Sequence, residues 1–290
     1  MGFEVTKLEK LIDISGLYTF YYYEHDKYFY FPGEQHDFWE IVYVDRGEIS
    51  AVAETNGYIL KQGEIIFHKP NEFHALASTK KEPHNILVTT FETSSPAMSF
   101  FKNKIFTLDS NQRKILSSFL EEIKKAFSYN YEKNKNVVGS NLADASAYQL
   151  SIAGLEHLLI DLLRNNSVSE RSEGERGIAR KNVENALIDS IKLHLKENLY
   201  QNISLQDICT HYNMSKSYLC QLFKNTLGRS IIDYYIELKI EEAKYLIRKG
   251  EMNFTQISEK LGYTSIHHFS RSFKSKVGMS PSAYEKAIKS

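Results

Sequence analysis

Along the first hundred residues, apolar and aromatic side chains come in short clusters: YTFYYYE, YFYFPGE, FWEIVYV, GYIL, EIIFHK and ILVTTFE. Turn formers cut them apart, among them Pro32-Gly33, Asp45-Arg46-Gly47 and Asn56-Gly57. Aromatic and β-branched runs of this length predict strands, and many short strands with close turns predict a sandwich or small barrel. The period changes near residue 111. Leu116, Phe119, Leu120, Ile123 and Phe127 recur at helical spacing, as do Ile152, Leu155, Leu158, Leu159 and Leu162, around a polar loop NYEKNKNVVGS. The stretch NNSVSERSEGERGIAR carries no apolar period and predicts a linker. Everything after it is helical in pattern.

In that helical region a single unit is written twice. Residues 215–230 read SKSYLCQLFKNTLGRS and residues 265–280 read SIHHFSRSFKSKVGMS. Such an internal repeat reports a duplicated structural unit. At 100° per residue, Leu219, Leu222 and Phe223 fall on one side of the first helix, and Ser217, Cys220, Gln221 and Lys224 on the other. In the second copy Ile266, Phe269, Ser272 and Phe273 point inward, and His267, Ser270, Arg271 and Lys274 outward. Both outward faces are polar and free of carboxylates, which suits hydrogen bonding to base edges and phosphates.

A shorter helix precedes each copy. In the first, Ser204 is the N-cap with Asp207 three residues on, and Asn213 takes the turn. In the second, Asn253 and Gln256 form the cap and Gly262 takes the turn. Helix, tight turn and a helix with a polar outer face is a helix-turn-helix pattern; paired helical hairpins are the plainer reading, and the matched caps, turns and faces argue against it. Between the copies, Gly228 ends one helix, Ser230 with Asp233 starts the next, and this connector runs to Gly250. At about 1.5 Å per residue it is a rod of about 30 Å, close to the roughly 34 Å between successive major-groove faces on one side of B-DNA.

Composition refines this picture. The chain's 36 basic and 36 acidic residues cancel, but residues 181–290 hold 16 Lys/Arg against 11 Asp/Glu. A modestly basic C-terminal region permits contact with a polyanion. Only Cys209 and Cys220 are present, which excludes a disulfide framework and fits a reducing cytoplasm. The opening MGFEVTKLEKLIDISG has no apolar core of a signal peptide, and no apolar run approaches membrane-helix length, so no membrane partner is expected.

Residues 203–285 resemble the DNA-binding domain of AraC/XylS-type transcription regulators. The resemblance is carried by Ile208, SYLCQLFKNTLG, the Tyr-rich connector with Lys239 and Ala243, Ile257, Leu261-Gly262-Tyr263, HHFSRSFKSKVG, Ser280-Pro281 and Tyr284. It implies sequence-specific binding of double-stranded DNA by the helices at 215–227 and 265–276, with Ser217, Gln221, Lys224, His267, Ser270, Arg271 and Lys274 as contact residues. Where the family often has an arginine in the first recognition helix this chain has Gln221; Arg271 keeps it in the second. Glutamine pairs with adenine and arginine with guanine, so the half-sites are expected to differ.

The N-terminal stretch HDFWEIVYVDRGEISAVAETNGYILKQGEIIFHKPNEFHAL resembles a cupin barrel. His36, Glu40 and Gly47 match the second half of the first cupin motif, and Gly63, Pro70 and His74 approximate the second. Alternation along a strand puts His36, Phe38, Glu40 and Val42 on one face. Glu34 replaces the first histidine of the cupin pair, so no metal and no cofactor is expected. The barrel is expected instead to hold a small polar effector, a sugar among the candidates, through His36, Trp39, Glu40, His68 and His74. The helices over 111–164 resemble the family's dimerisation helices; packing on the barrel is the alternative, and the two are compatible.

The expected architecture is α+β in two domains: a cupin-like barrel over 1–108 with a helical dimerisation segment over 109–166, a linker over 167–180, and an all-α double helix-turn-helix domain over 181–290. The expected function is a ligand-responsive transcription regulator, an activator by the family's commoner habit, acting as a homodimer with RNA polymerase as partner. The competing class is a metal-dependent cupin enzyme fused to a DNA-binding module.

Overall fold

The computed structural model describes residues 6–7, 9–130, 135–138, 141–165, 168–169 and 172–289. The chain divides into two compact units, Met1–Ala186 and Leu187–Ser290. In the first, the clustered apolar runs form two antiparallel sheets. One has six strands: β1 (Gly16–His25), β3 (Trp39–Arg46), β6 (Glu64–His68), β8 (His84–Glu92), β9 (Ile105–Thr107) and β12 (Val168–Ser169), in the order β1-β8-β3-β6-β9-β12. The other has four: β2 (Tyr30–Glu34), β4 (Glu48–Ala53), β5 (Asn56–Lys61) and β7 (His74–Ser78), in the order β2-β7-β4-β5.

Strand parity separates two cores. Val42 and Val44 of β3, with Ile49, Leu60, Ile66, Leu76 and Ile86, fill the space between the sheets. Trp39, Ile41 and Tyr43 point the other way, into a cluster completed by Leu116, Phe119 and Ile123 of helix α1 (Ser110–Ala126) and by Leu155, Leu158, Leu159 and Leu162 of helix α2 (Leu142–Asn165). The apolar stripes of α1 and α2 therefore cover the outside of the six-stranded sheet. An Asp109–Gln112 capping box starts α1.

Two segments differ from expectation. The polar loop between α1 and α2 contains a hairpin, β10 (Phe127–Asn130) with β11 (Lys135–Val138), and residues 131–134 and 139–140 lie outside the described residues. The supposed linker is helical from Glu173: helix α3 (Glu173–Glu197) spans most of it, and the division between the units falls inside this helix. Its first turns lie against the barrel. A side chain on Gly57 would sit 2.3 Å from the Arg176 carbonyl and 3.2 Å from Ala179. Val183 and Ala186 join Val52, Ala75 and Ala77 in a third small cluster. Tertiary burial thus holds helical a stretch whose Gly174 and Gly177 disfavour it.

The second unit is helical: the rest of α3, then α4 (Leu205–His211), α5 (Lys216–Leu227), α6 (Ile231–Lys249), α7 (Phe254–Lys260), α8 (Ile266–Val277) and α9 (Pro281–Lys289). The expected caps are present. Ser204–Asp207 and Asn253–Gln256 form full capping boxes, and Ser215, Ser230 and Ser265 accept from the backbone N–H three residues on. Asn213 and Gly262 take the left-handed conformation at the two tight turns. The long helix α6 lies between the copies and packs on α5, α7, α8 and α9. Its second half builds a core with Ile257, Leu261, Phe269 and Phe273.

Candidate effector cavity and nucleic-acid interface

The inner faces of the two sheets leave a cavity of about 530 Å³ in the first unit. Strand β1 sends Thr19, Tyr21, Tyr23 and His25 into it, and β8 sends Ile86, Val88 and Thr90. His36, Phe38 and Glu40 line it on one side, with Phe29, Phe31, Glu34 and Leu76 closing the wall. Four of these rings form a column: Tyr21 on Tyr23 at 5.3 Å, Tyr23 on His25 at 5.1 Å, and His25 on Phe29 at 3.6 Å. Among the described residues, no lysine or arginine lines the wall. The cavity is apolar and aromatic, with a polar end at Glu34, His36 and Glu40. Such a wall favours flat or ring-shaped ligands bearing a few hydrogen-bonding groups.

The polar end is set by strand register. Glu34 lies opposite His74 across the β2–β7 pair, and Glu40 lies opposite His68 across the β3–β6 pair. Gly33, at φ +104°, makes the first of these possible. A side chain there would come within 2.5 Å of the Phe73 ring and 2.7 Å of the His74 carbonyl. His74 Nε2 faces Glu40 Oε1 at 3.4 Å and Glu34 Oε1 at 3.8 Å, and His36 Nε2 faces Glu40 Oε2 at 3.5 Å. Burial alone pushes Glu40 up, but the facing imidazoles of His36 and His74 hold its carboxyl at about 2. Burial pushes His74 down, and Glu34 and Glu40 more than reverse this, to about 10.

Of the five expected effector residues, His36 and Glu40 line the cavity. His74 stands just behind them, 1% exposed. His68 is fully enclosed, stacked on His74 at 4.4 Å, with Nδ1 at 3.1 Å from Glu72; it supports the cluster from behind. Trp39 does not belong to the cavity. Its neighbour Glu40 faces inward, so Trp39 faces the helices and packs in their core. The sequence reading missed the wall itself: Tyr21, Tyr23 and His25 share a parity. In YTFYYYE nearly every position is aromatic, so alternation does not show which tyrosines face in.

In the second unit the two expected DNA-contact faces lie on the surface. Ser217, Gln221 and Lys224 of α5 are exposed, with Cys220 partly so; His267, Arg271 and Lys274 of α8 are exposed, with Ser270 partly buried. Leu219, Leu222, Phe223, Phe269 and Phe273 are buried beneath them. Lys224, Arg271 and Lys274 form no ion pair among the described residues, whereas Lys276 on the flank of α8 pairs with Asp233 and Glu237 of α6. Unpaired cations and an amide on exposed helix faces are the groups that meet phosphates and base edges.

A small-molecule cavity in a barrel, and a duplicated helix-turn-helix with two exposed recognition faces, define a DNA-binding regulator with a ligand-binding domain. Comparison with known proteins agrees. The model of the AraC-like ligand binding domain matches residues 16–100, and that of a helix-turn-helix domain matches residues 208–287, together more than half the chain. The HTH-type transcriptional regulator YdiP of Escherichia coli (strain K12) is 27% identical over 86% of this chain and 79% of its own. The HTH-type transcriptional activator RhaS of Enterobacter sp. (strain 638) is 21% identical over 87% of this chain and 86% of its own. The raffinose operon transcriptional regulatory protein RafR of Pediococcus pentosaceus is 34% identical over 33% of this chain and 34% of its own. This chain belongs to the AraC family of transcription regulators. Its domains and relatives are those of regulators and not of enzymes. No helix among the described residues is long and apolar enough to cross a membrane.

Proposed function

We propose that the protein is an effector-responsive activator of transcription that binds double-stranded DNA as a homodimer in the cytoplasm. In this reading α5 and α8 enter successive major grooves, with Ser217, Gln221 and Lys224 contacting one half-site and His267, Ser270, Arg271 and Lys274 the other. The observation that carries it is the pair of exposed, carboxylate-free faces on capped helices of equal length, each seated on its own buried stripe. Helix α6, with 19 residues, supplies a spacer of about 28 Å at about 1.5 Å per residue.

The effector binds in the aromatic cavity of the barrel. Ring stacking on Tyr21, Tyr23 and Phe38, with hydroxyls directed to Glu40 and His36, suits a sugar, and a regulator of a raffinose operon stands among the relatives. The exposed face of α2, where Leu142 and Leu150 are uncovered, is the dimer contact in this reading. Effector binding acts by favouring one arrangement of the DNA-binding units over another, which presents the complex to RNA polymerase.

Selection of DNA fragments by the purified protein, followed by footprinting, tests the DNA half of this reading. Two protected major-groove segments per unit are expected; protection without sequence preference contradicts it. A thermal-shift series over sugars tests the effector half. A stabilising sugar whose effect disappears in Glu40→Gln is expected, and indifference to every sugar removes that class.

A further inference from the structure

Strand register gives the cavity a second end, far from Glu34 and Glu40. Thr19 of β1 pairs with Thr90 of β8, and Thr90 pairs in turn with Glu40 of β3, so this rung marks the near end. From Thr19 to His25 the strand runs about 20 Å at about 3.4 Å per residue, and there His25 pairs with His84. Tyr21, Tyr23, Ile86 and Val88 line the wall between the two rungs.

The far end carries polar atoms with nothing to bind. His25 Nε2 and both ring nitrogens of His84 are buried and without a hydrogen-bond partner. His84 is fully enclosed, its ring 5.5 Å from that of His25 and 5.6 Å from that of Phe29, and both of these neighbours line the cavity. Burial lowers both histidines, His84 to about 4, so at about pH 7 each ring is neutral and holds one N–H donor and one acceptor. Unpaired nitrogens cost stability that a leucine or phenylalanine in the same space would not. Such a cost beside a cavity wall points to a ligand group that pairs them.

Resting on the reading of this cavity as the effector site, we propose that His25 and His84 form a second polar subsite, and that the effector is an oligosaccharide of two or more rings whose far hydroxyl they receive. A hydroxyl both donates and accepts, which matches a pair of neutral imidazoles. The column of Tyr21, Tyr23, His25 and Phe29 supplies ring faces between the two ends, on which successive sugar rings lie. A single pyranose held by Glu40 and His36 reaches the tyrosines and stops there; a further ring brings a hydroxyl to His25. His25 makes the contact from the wall, and His84 holds it from behind.

Two measurements on the full-length protein test this. The first needs no effector: thermal melts, at about pH 7.5, of wild type, His84→Leu and His25→Phe. Leucine keeps most of the volume of His84, and phenylalanine keeps the stacking of His25 on Tyr23 and Phe29. At least one variant is expected to melt about 2 °C or more above wild type, because unpaired nitrogens are gone. If neither does, the nitrogens are satisfied without an effector and the proposal is overturned. The second is calorimetric titration with glucose and galactose, and with maltose, cellobiose, lactose and maltotriose. At least one longer sugar is expected to bind about tenfold or more tighter than the monosaccharides, an advantage that His25→Phe and His84→Leu remove. A monosaccharide bound as tightly as every longer sugar, or an advantage that both variants keep, overturns this proposal alone and leaves the effector cavity standing. Indifference to every sugar overturns it together with the sugar reading.

Discussion

At the scale of residues, two side chains carry the most specific consequences. Arg271 is exposed on α8 and in no ion pair among the described residues, so on the proposed reading Arg271→Ala is expected to remove one base contact with little effect on folding. The expected cost is about 1–3 kcal/mol of discrimination at a single base position, read by competition binding against operator variants. Unchanged sequence preference would move the recognition face elsewhere. The second residue is His84, fully enclosed beside His25 and Phe29, with neither ring nitrogen hydrogen-bonded. Burial, and then the neighbouring His25, bring it down to about 4. Its unfolded value is about 6.5, so between those limits the unfolded chain takes up a proton that the folded chain refuses. Stability is therefore full above about pH 6.5 and falls as the pH drops toward 4, by about 2–3 kcal/mol for this group. Denaturation of the barrel across that range should show the slope, and His84→Leu should flatten it; an equal slope in the variant would locate the acid sensitivity in other groups.

Residue-scale reading of the sequence succeeded where a period or a cap was visible, and failed where it was not. Strand alternation was expected to put His36, Phe38 and Glu40 on one face; all three line the cavity, but only Glu40 lies in a strand, and His36 and Phe38 belong to the bend before β3. Trp39 was grouped with them by composition although its odd position sends it to the helix core, so parity was the better guide. The tyrosines of β1 gave no alternation to read. That Glu34 meets His74 depends on which strands pair, a long-range fact with no local signature.

At the scale of elements, the duplicated unit is held by its caps and by one buried cation. Lys239 of α6 is 4% exposed and donates to the carbonyls of Gln201 and Leu261 at 2.6 and 2.7 Å. Its burial lowers it to about 8. These two bonds tie α6 to the end of the first repeat's lead-in and to the turn of the second. Lys239→Met keeps the stem but strands the Leu261 carbonyl, while the Gln201 carbonyl keeps the Tyr235 hydroxyl at 2.7 Å, and about 1–3 kcal/mol of lost stability is expected in the melting of the DNA-binding unit. A melting curve indistinguishable from wild type would mean water replaces the ammonium at no cost. The Asn253–Gln256 box is worth less: Asn253→Ala should cost about 1 kcal/mol, with a matching loss from Ser204→Ala in the first copy. Both caps were legible because a capping box is a local pattern. The helical start of α3 was not, since Gly174 and Gly177 hide it and contact with Gly57 and its neighbours maintains it.

At the scale of the whole molecule, each unit has one task. The barrel encloses an aromatic cavity with a polar end, and the helical unit displays two faces without carboxylates. The charge division along the chain matches this, with the basic excess confined to the region that meets DNA. Affinity for DNA should accordingly fall steeply with salt, while sequence preference persists, because phosphate contacts release counterions and base contacts do not. Salt-independent binding would place phosphates away from Lys224 and Lys274.

The central claim is that one copy of the second unit reads two grooves at once. Methylation interference on a selected operator measures this most directly, with wild type, Gln221→Ala and Arg271→Ala compared side by side. Two sets of major-groove contacts about 10 base pairs apart on one face of the duplex are predicted, each variant erasing a different set. A single set of contacts, or two sets that vanish together in either variant, would contradict the account.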